Sequence, residues 1–181
     1  MPRAALSTHR RPPYRGGVSF SVPALPDSTV QRYTELAHLA RALVAGETDR
    51  VANAANLSAL VKATVPDLNW VGFYFYDGAE LVVGPFQGLP ACIRIPLQRG
   101  VCGAAARTRH TQRVNDVHAV ADHIACDAAT NSELVVPLVS AAGDLIGVFD
   151  LDSERVGRFT DDDQRGLETI AAVFVESLSP A

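Results

Sequence analysis

The chain has 181 residues, 48% hydrophobic and 20% charged, with a net charge of −4, which suits one well-buried domain rather than two. Arg3, Arg10, Arg11 and Arg15 place +4 in residues 1–26, so a chain total of −4 leaves −8 on the remainder; such an acidic body lacks the basic face that nucleic-acid phosphates require. No apolar run approaches the roughly 18 residues of a membrane span, and the start lacks the continuous apolar core of a secretory signal, so a cytoplasmic protein is expected.

Residues 1–27 contain Pro2, Pro12, Pro13, Pro23 and Pro26, an Arg-Arg pair and Gly16-Gly17, without usable periodicity. They read as a disordered tail preceding a single domain over residues 28–181; an acid-poor, Arg- and Ser-containing start also fits an organelle transit peptide. Residues 28–45 predict a helix capped by Asp27 or Ser28, with Tyr33, Leu36, Ala37, Ala40, Leu43 and Val44 on one side and Gly46 at its end. A second helix follows Thr48 or Asp49, with Val51, Ala55, Leu57, Leu60 and Val61 as its apolar positions, and stops at Pro66. The period then becomes strand-like. The aromatic run 70–76 and the turn signal Asp77-Gly78 predict a hairpin into Leu81–Phe86.

After a Gly- and Pro-containing loop, Ile93–Pro96 is extended, and a short helix is expected over 102–108. Thr111–Asn115 is extended again, and 116–131 is polar and irregular. Leu134–Val139 and Leu145–Asp152 predict two strands joined at Ala142-Gly143-Asp144. Thr160 caps a closing helix whose first turn holds Asp161, Asp162 and Asp163, a complement to the helix dipole rather than a metal site. Helix, helix, hairpin, short helix, hairpin, helix describes an α+β domain: an antiparallel sheet with helices packed on one side.

The chain's three cysteines, Cys92, Cys102 and Cys126, fall within residues 92–126. Free cysteine is often just a small buried hydrophobe, and lasting structural disulfides are uncommon in a reducing cytosol. Clustered thiols also supply a redox cycle: one attacks an oxidised substrate, another closes a disulfide, and an external reductant resets the pair. Cys102 at a helix start feels the dipole and free N–H groups, with Arg99 and Arg107 nearby, so local physics nominates it as the more acidic thiol. Cys126 has Asp122 and Asp127 opposing ionisation and His123 favouring it. A zinc site from the cysteines with His110, His118 or His123 lacks the spacing of the common structural sites.

In Leu145–Asp152, alternation places Ile146, Val148, Asp150 and Asp152 on one face and Leu145, Phe149 and Leu151 on the other. Two carboxylates on an apolar strand repel each other and resist desolvation, and a bound cation relieves both costs. Glu133, opening the neighbouring strand, can join them; alternatively Asp150 and Asp152 only mark an exposed strand end. Trp70, the single tryptophan, is either a core anchor or, at a strand start at the edge of the sheet, a pocket wall for a methyl group or developing sulfur cation.

Residues 29–176 resemble the GAF domain and, within it, the free methionine-(R)-sulfoxide reductases. The resemblance rests on Asn69-Trp-Val-Gly-Phe-Tyr74, Leu81-Val-Val-Gly-Pro-Phe-Gln-Gly88, Ala91-Cys-Ile-Arg-Ile95, Gly100-Val-Cys-Gly-Ala-Ala-Ala106, His123-Ile-Ala-Cys126, Asn131-Ser-Glu-Leu-Val-Val-Pro-Leu138 and Leu145-Ile-Gly-Val-Phe-Asp-Leu-Asp-Ser153. It implies that Cys126 is the nucleophile, against the local preference for Cys102, and that Cys102 and Cys92 are recycling thiols, either of which closes the disulfide. It implies that Glu133, Asp150 and Asp152 line the pocket, receive the substrate ammonium and help protonate the sulfoxide, beside Trp70 and Tyr74. The implied activity is reduction of free L-methionine (R)-S-oxide by a homodimer, in defence against oxidative stress, without metal or organic cofactor. Thioredoxin, at about −270 mV, is a competent reductant. The alternative is a non-catalytic GAF module that senses a ligand or redox state.

Overall fold

The computed structural model describes residues 23–120 and 128–179. Residues 1–22 of the expected tail, and the stretch with His123 and Cys126, lie outside them. Helices α1 (Thr29–Val44) and α2 (Arg50–Thr64) lead into strands β1 (Trp70–Tyr76), β2 (Glu80–Gln87) and β3 (Arg94–Pro96). Helix α3 (Gly100–Thr108), β4 (Gln112–Val114), a 3-10 turn (Val117–Ala119), β5 (Ser132–Val139), β6 (Leu145–Ser153) and α4 (Asp161–Ser177) complete the order. The six strands form one antiparallel sheet in the order β3-β2-β1-β6-β5-β4. Among the described residues no helix is long and apolar enough to cross a membrane.

Strand alternation sorts the sheet's side chains between two clusters. Val71, Phe73, Phe75, Leu134, Val136, Leu138, Phe149 and Leu151 face α1, α2 and α4 and form the main core. Trp70, Tyr74, Val135 and Val148 occupy the opposite face, where the short helix α3 adds Val101, Cys102, Ala105 and Ala106. The expected antiparallel sheet with helices packed on one side therefore holds for the three long helices, and α3 roofs the other face.

The capping signals act as their chemistry demands. Asp49 accepts from the backbone N–H groups of Val51 and Ala52, and Thr160 with Asp163 forms a reciprocal capping box. Burial pushes the Asp163 carboxyl up, but the Thr160 N–H and hydroxyl and the Arg158 guanidinium outweigh that and hold it below the usual range. Arg158 and Asp163 form a nearly buried ion pair at 3.1 Å. The acidic triplet is thus a helix start.

Two sequence expectations shift. In α2, Val51 is exposed, while Asn53, Ala54, Leu57, Ser58, Leu60 and Val61 face inward. The inward polar side chains are satisfied: Asn53 Nδ2 donates to Glu47 O and Ser177 Oγ, and Ser58 Oγ donates to Ala54 O. In β6 the alternation holds for Val148, Asp150 and Asp152 but reverses before Gly147, so Ile146 packs with the helix-side core and Leu145 with the opposite cluster. The cause is a bulge in β6 itself: the consecutive residues Leu138 and Val139 pair with Gly147 and Leu145, which leaves Ile146 as the extra residue. A Cβ on Gly147 would lie 2.0 Å from Tyr74 O, so only glycine allows β1 and β6 this approach.

Candidate active site

Three central strands build the site. Their register aligns Trp70, Asp152 and Glu133 in one row across β1, β6 and β5, and Gly72, Asp150 and Val135 in the next. A third row holds Tyr74, Val148 and Pro137. Side chains two residues apart share a face, so Trp70, Tyr74, Glu133, Asp150 and Asp152 all stand on the face roofed by α3. Trp70 occupies the start of β1 as expected, but β1 is an interior strand, so the indole lies at a strand end over the sheet rather than at its edge.

The aromatic wall is packed into one orientation. The Trp70 ring stacks on Tyr74 at 5.8 Å and on Phe86 at 5.2 Å, and its Nε1 donates to Leu89 O at 3.2 Å. Gly72 makes this possible: a Cβ there would meet Phe86 Cβ at 2.3 Å and the Trp70 ring at 2.6 Å. Phe86 went unrecognised in the sequence. Its signal was the small residue at position 72, whose lack of a side chain leaves room for two stacked rings.

Opposite the wall is an acidic, buried cluster. Cys102 Sγ donates to Glu133 Oε1 at 3.8 Å, and ligand-type atoms of Cys102, Glu133 and Asp150 lie within 4.8 Å of one another. Glu133 is 5% and Asp150 6% exposed. Among the described residues Asp150 Oδ1 is buried without a hydrogen-bond partner. Burial, then the neighbouring Glu133, pushes the Asp150 carboxyl far above the ordinary aspartate range. Burial and the carboxylates of Asp150 and Glu133 push the Cys102 thiol up as well.

That corrects the local expectation for Cys102. The residue does sit in the first turn of α3, but a helix dipole contributes a fraction of a charge, whereas complete burial beside two acids opposes ionisation more strongly. Arg107 does not reverse it: its side chain is exposed, and its guanidinium donates to Leu97 O. Tyr74 is held protonated for the same reasons, burial first and then Asp150. The cluster retains protons and favours any cation that enters.

The segment containing Cys126 lies outside the described residues, but both of its flanks are anchored at this end of the sheet. Val117 N donates to Asn131 O, Asn131 N to Ser153 O and Asn131 Nδ2 to Glu154 O. Asn69, beside Trp70, donates through Nδ2 to Thr130 Oγ1 at 3.1 Å. Cys92, in the loop before β3, is in a disulfide, and Cys102 is the free thiol among the described residues. Among the described residues the cluster around Cys102 brings carboxylates and no histidine: His118 contacts Asn131 Oδ1, and His110 contacts Thr108 O.

A family model for the GAF domain matches residues 51–177. The free methionine-R-sulfoxide reductase of Escherichia coli K12 is 51% identical over 147 residues, spanning 81% of this chain and 88% of that protein. This chain belongs to the free methionine-R-sulfoxide reductase family. A free methionine-R-sulfoxide reductase from Neisseria meningitidis, solved in complex with its substrate, superposes with a TM-score of 0.80 at 43% identity, covering 90% of this chain and 95% of that one. A protein from Burkholderia vietnamiensis described as a GAF sensor superposes equally well, with a TM-score of 0.80 at 61% identity over 82% of this chain and 94% of that one. The family's fold is therefore shared across both descriptions, and the chemistry must be argued from the residues on the roofed face.

Proposed function

We propose that this chain reduces free L-methionine (R)-S-oxide to L-methionine by thiol chemistry, with Cys126 as nucleophile. The observation that carries the reading is the pairing of a buried, proton-retaining carboxylate cluster, one of whose oxygens lacks a partner, with an indole and a phenol on the same sheet face. A free amino acid needs both halves. Its ammonium is met by acids, and its methyl sulfoxide by an aromatic wall whose π face favours a developing positive sulfur. The activity named for the relatives from Escherichia coli and Neisseria meningitidis supports this choice of substrate.

In this reading the Cys126 thiolate attacks the sulfoxide sulfur while Asp150, whose carboxyl holds its proton more tightly because of burial and Glu133, delivers that proton to the oxygen. Methionine departs and the sulfoxide oxygen remains on Cys126 as a sulfenic acid. Cys92 condenses with that acid, forming the disulfide and releasing water. A thioredoxin-type dithiol then reduces the disulfide, becoming a disulfide itself. The engagement of Cys92 in a disulfide favours it over Cys102, whose thiol is pushed up by burial and so supplies little thiolate. Glu133 and Asp152 receive the substrate ammonium. A homodimer in the cytoplasm, repairing free methionine under oxidative stress, completes the proposal.

The test follows NADPH consumption with thioredoxin, thioredoxin reductase and each epimer of free methionine sulfoxide. Turnover of the R epimer alone is expected, and Cys126→Ser should abolish it. Retained turnover in that variant overturns the nucleophile. Binding of the amino acid with no turnover by the wild-type chain would favour a GAF sensor instead.

A further inference from the structure

Cys102, Glu133 and Asp150 come from three different elements, α3, β5 and β6, yet their sulfur and carboxylate atoms all lie within 4.8 Å of one another in the buried interior. Clustered acids alone are no metal site. Here a separate observation accompanies them: Asp150 Oδ1 is buried and has no hydrogen-bond partner among the described residues. An orphaned carboxylate oxygen of this kind is costly and calls for a positive partner.

We propose that Cys102, Glu133 and Asp150 form a binding site for a thiophilic divalent cation, Zn2+ foremost. One sulfur and two oxygens match the ligand preferences of zinc and exclude Mg2+ and Ca2+, which take oxygen alone. With Zn–S of about 2.3 Å and Zn–O of about 2.0–2.2 Å, tetrahedral ligands stand roughly 3.3–3.7 Å apart. The Cys102 Sγ to Glu133 Oε1 separation of 3.8 Å is already close to that, and carboxylate rotation brings in the unpartnered oxygen of Asp150. Three protein ligands leave the fourth position to water.

No redox step is involved. The Cys102 thiol proton passes to solvent as the S–Zn bond forms, and any proton held by the carboxylates is released with it, so affinity rises with pH. The ion neutralises the same carboxylates that the proposed function assigns to substrate. It therefore acts as a reversible inhibitor, not as a cofactor; only this competition, and not the site itself, rests on that reading.

The experiment uses the full chain with its Cys92 disulfide intact and no added thiol, so that Cys102 is the free thiol among the described residues. Zn2+ affinity is measured against a chromophoric chelator, and Co2+ is added as a spectroscopic probe. One equivalent of metal, a near-ultraviolet thiolate-to-cobalt band and tighter binding between about pH 6 and about pH 8 are expected. Cys102→Ser should remove the band and weaken Zn2+ at least about tenfold, and Asp150→Asn should weaken it while keeping the band. A tenfold excess of Mg2+ should leave Zn2+ binding unchanged.

Wild-type chain that takes up no metal at about 100 μM, or takes up Co2+ without the thiolate band, overturns the site. So does unchanged Zn2+ affinity in Cys102→Ser. Should that variant fail to fold, the wild-type cobalt spectrum and Asp150→Asn decide the matter. Free methionine sulfoxide should displace the bound ion. A thiolate band that survives saturating amino acid would leave the metal site standing and count against these carboxylates as the substrate's receptor.

Discussion

Replacing Asp150 with asparagine should make the protein more stable and less active, and the stability gain should grow with pH. In the native state burial and Glu133 raise the Asp150 pKa, whereas the unfolded chain ionises near the ordinary aspartate value of about 3.9. Below that value both states hold the proton, and the carboxyl carries no penalty. Above it the native state binds more protons than the unfolded one, so the stability of the wild type falls as pH rises. The fall continues until the native group itself ionises, at about 1.4 kcal/mol per pH unit. The asparagine side chain does not titrate and escapes this loss.

For a domain of this size, 1 kcal/mol corresponds to roughly 2–4 °C in Tm. The variant's advantage should therefore widen by about 3–6 °C per pH unit over the part of the range from pH 4 to 8 in which the native carboxyl stays protonated. Reductase turnover should fall about 10²- to 10⁴-fold, the usual contribution of a positioned acid. Thermal unfolding at several pH values, with and without the substitution, reads the first effect, and the thioredoxin-coupled assay reads the second. A variant that is less stable than wild type at pH 8, or whose stability difference does not change with pH, would refute the view that this carboxylate is held at the cost of desolvation.

Gly147→Ala should destabilise the chain by about 1–3 kcal/mol or more, because the new Cβ meets Tyr74 O at 2.0 Å and backbone must move; a lower urea midpoint at constant slope checks this. Trp70 is the sole tryptophan and only 2% exposed, so intrinsic emission reports the site: adding free methionine sulfoxide to the disulfide form should shift or quench it, and an unchanged spectrum at saturating ligand would remove Trp70 from the pocket. Thr160→Ala removes the hydroxyl half of the capping box of α4 and leaves the residue's own backbone N–H donating to Asp163; it should cost about 1 kcal/mol, seen as a drop of a few degrees in Tm.

Helix α4 and the first hairpin were legible because their signals are local. Thr160 with Asp163 three residues on is a capping box, and Asp77-Gly78 between apolar runs is a turn; each works through neighbours in sequence. The inward face of α2 was not legible, because the amide of Asn53 becomes acceptable in a core only when a distant partner, Ser177, is present, and the hydroxyl of Ser58 because it turns back onto Ala54 O of its own helix. The reversal of alternation before Gly147 was likewise hidden, since the bulge at Ile146 is set by the pairing register against β5.

The residues of the site could be nominated from the chain alone: three clustered cysteines, two aspartates spaced for one strand face, a lone tryptophan, and motifs resembling one family. Their protonation could not. From sequence Cys102 is a thiol at a helix start; in the folded chain it is a buried group facing Glu133 and Asp150, which reverses the direction of its shift. Residues 102 and 150 meet only through the order of the sheet and the roof that α3 forms over it. Desolvation and through-space charge depend on what lies within a few ångströms. Composition and spacing therefore chose the chemical groups, and tertiary packing decided which of them keep their protons.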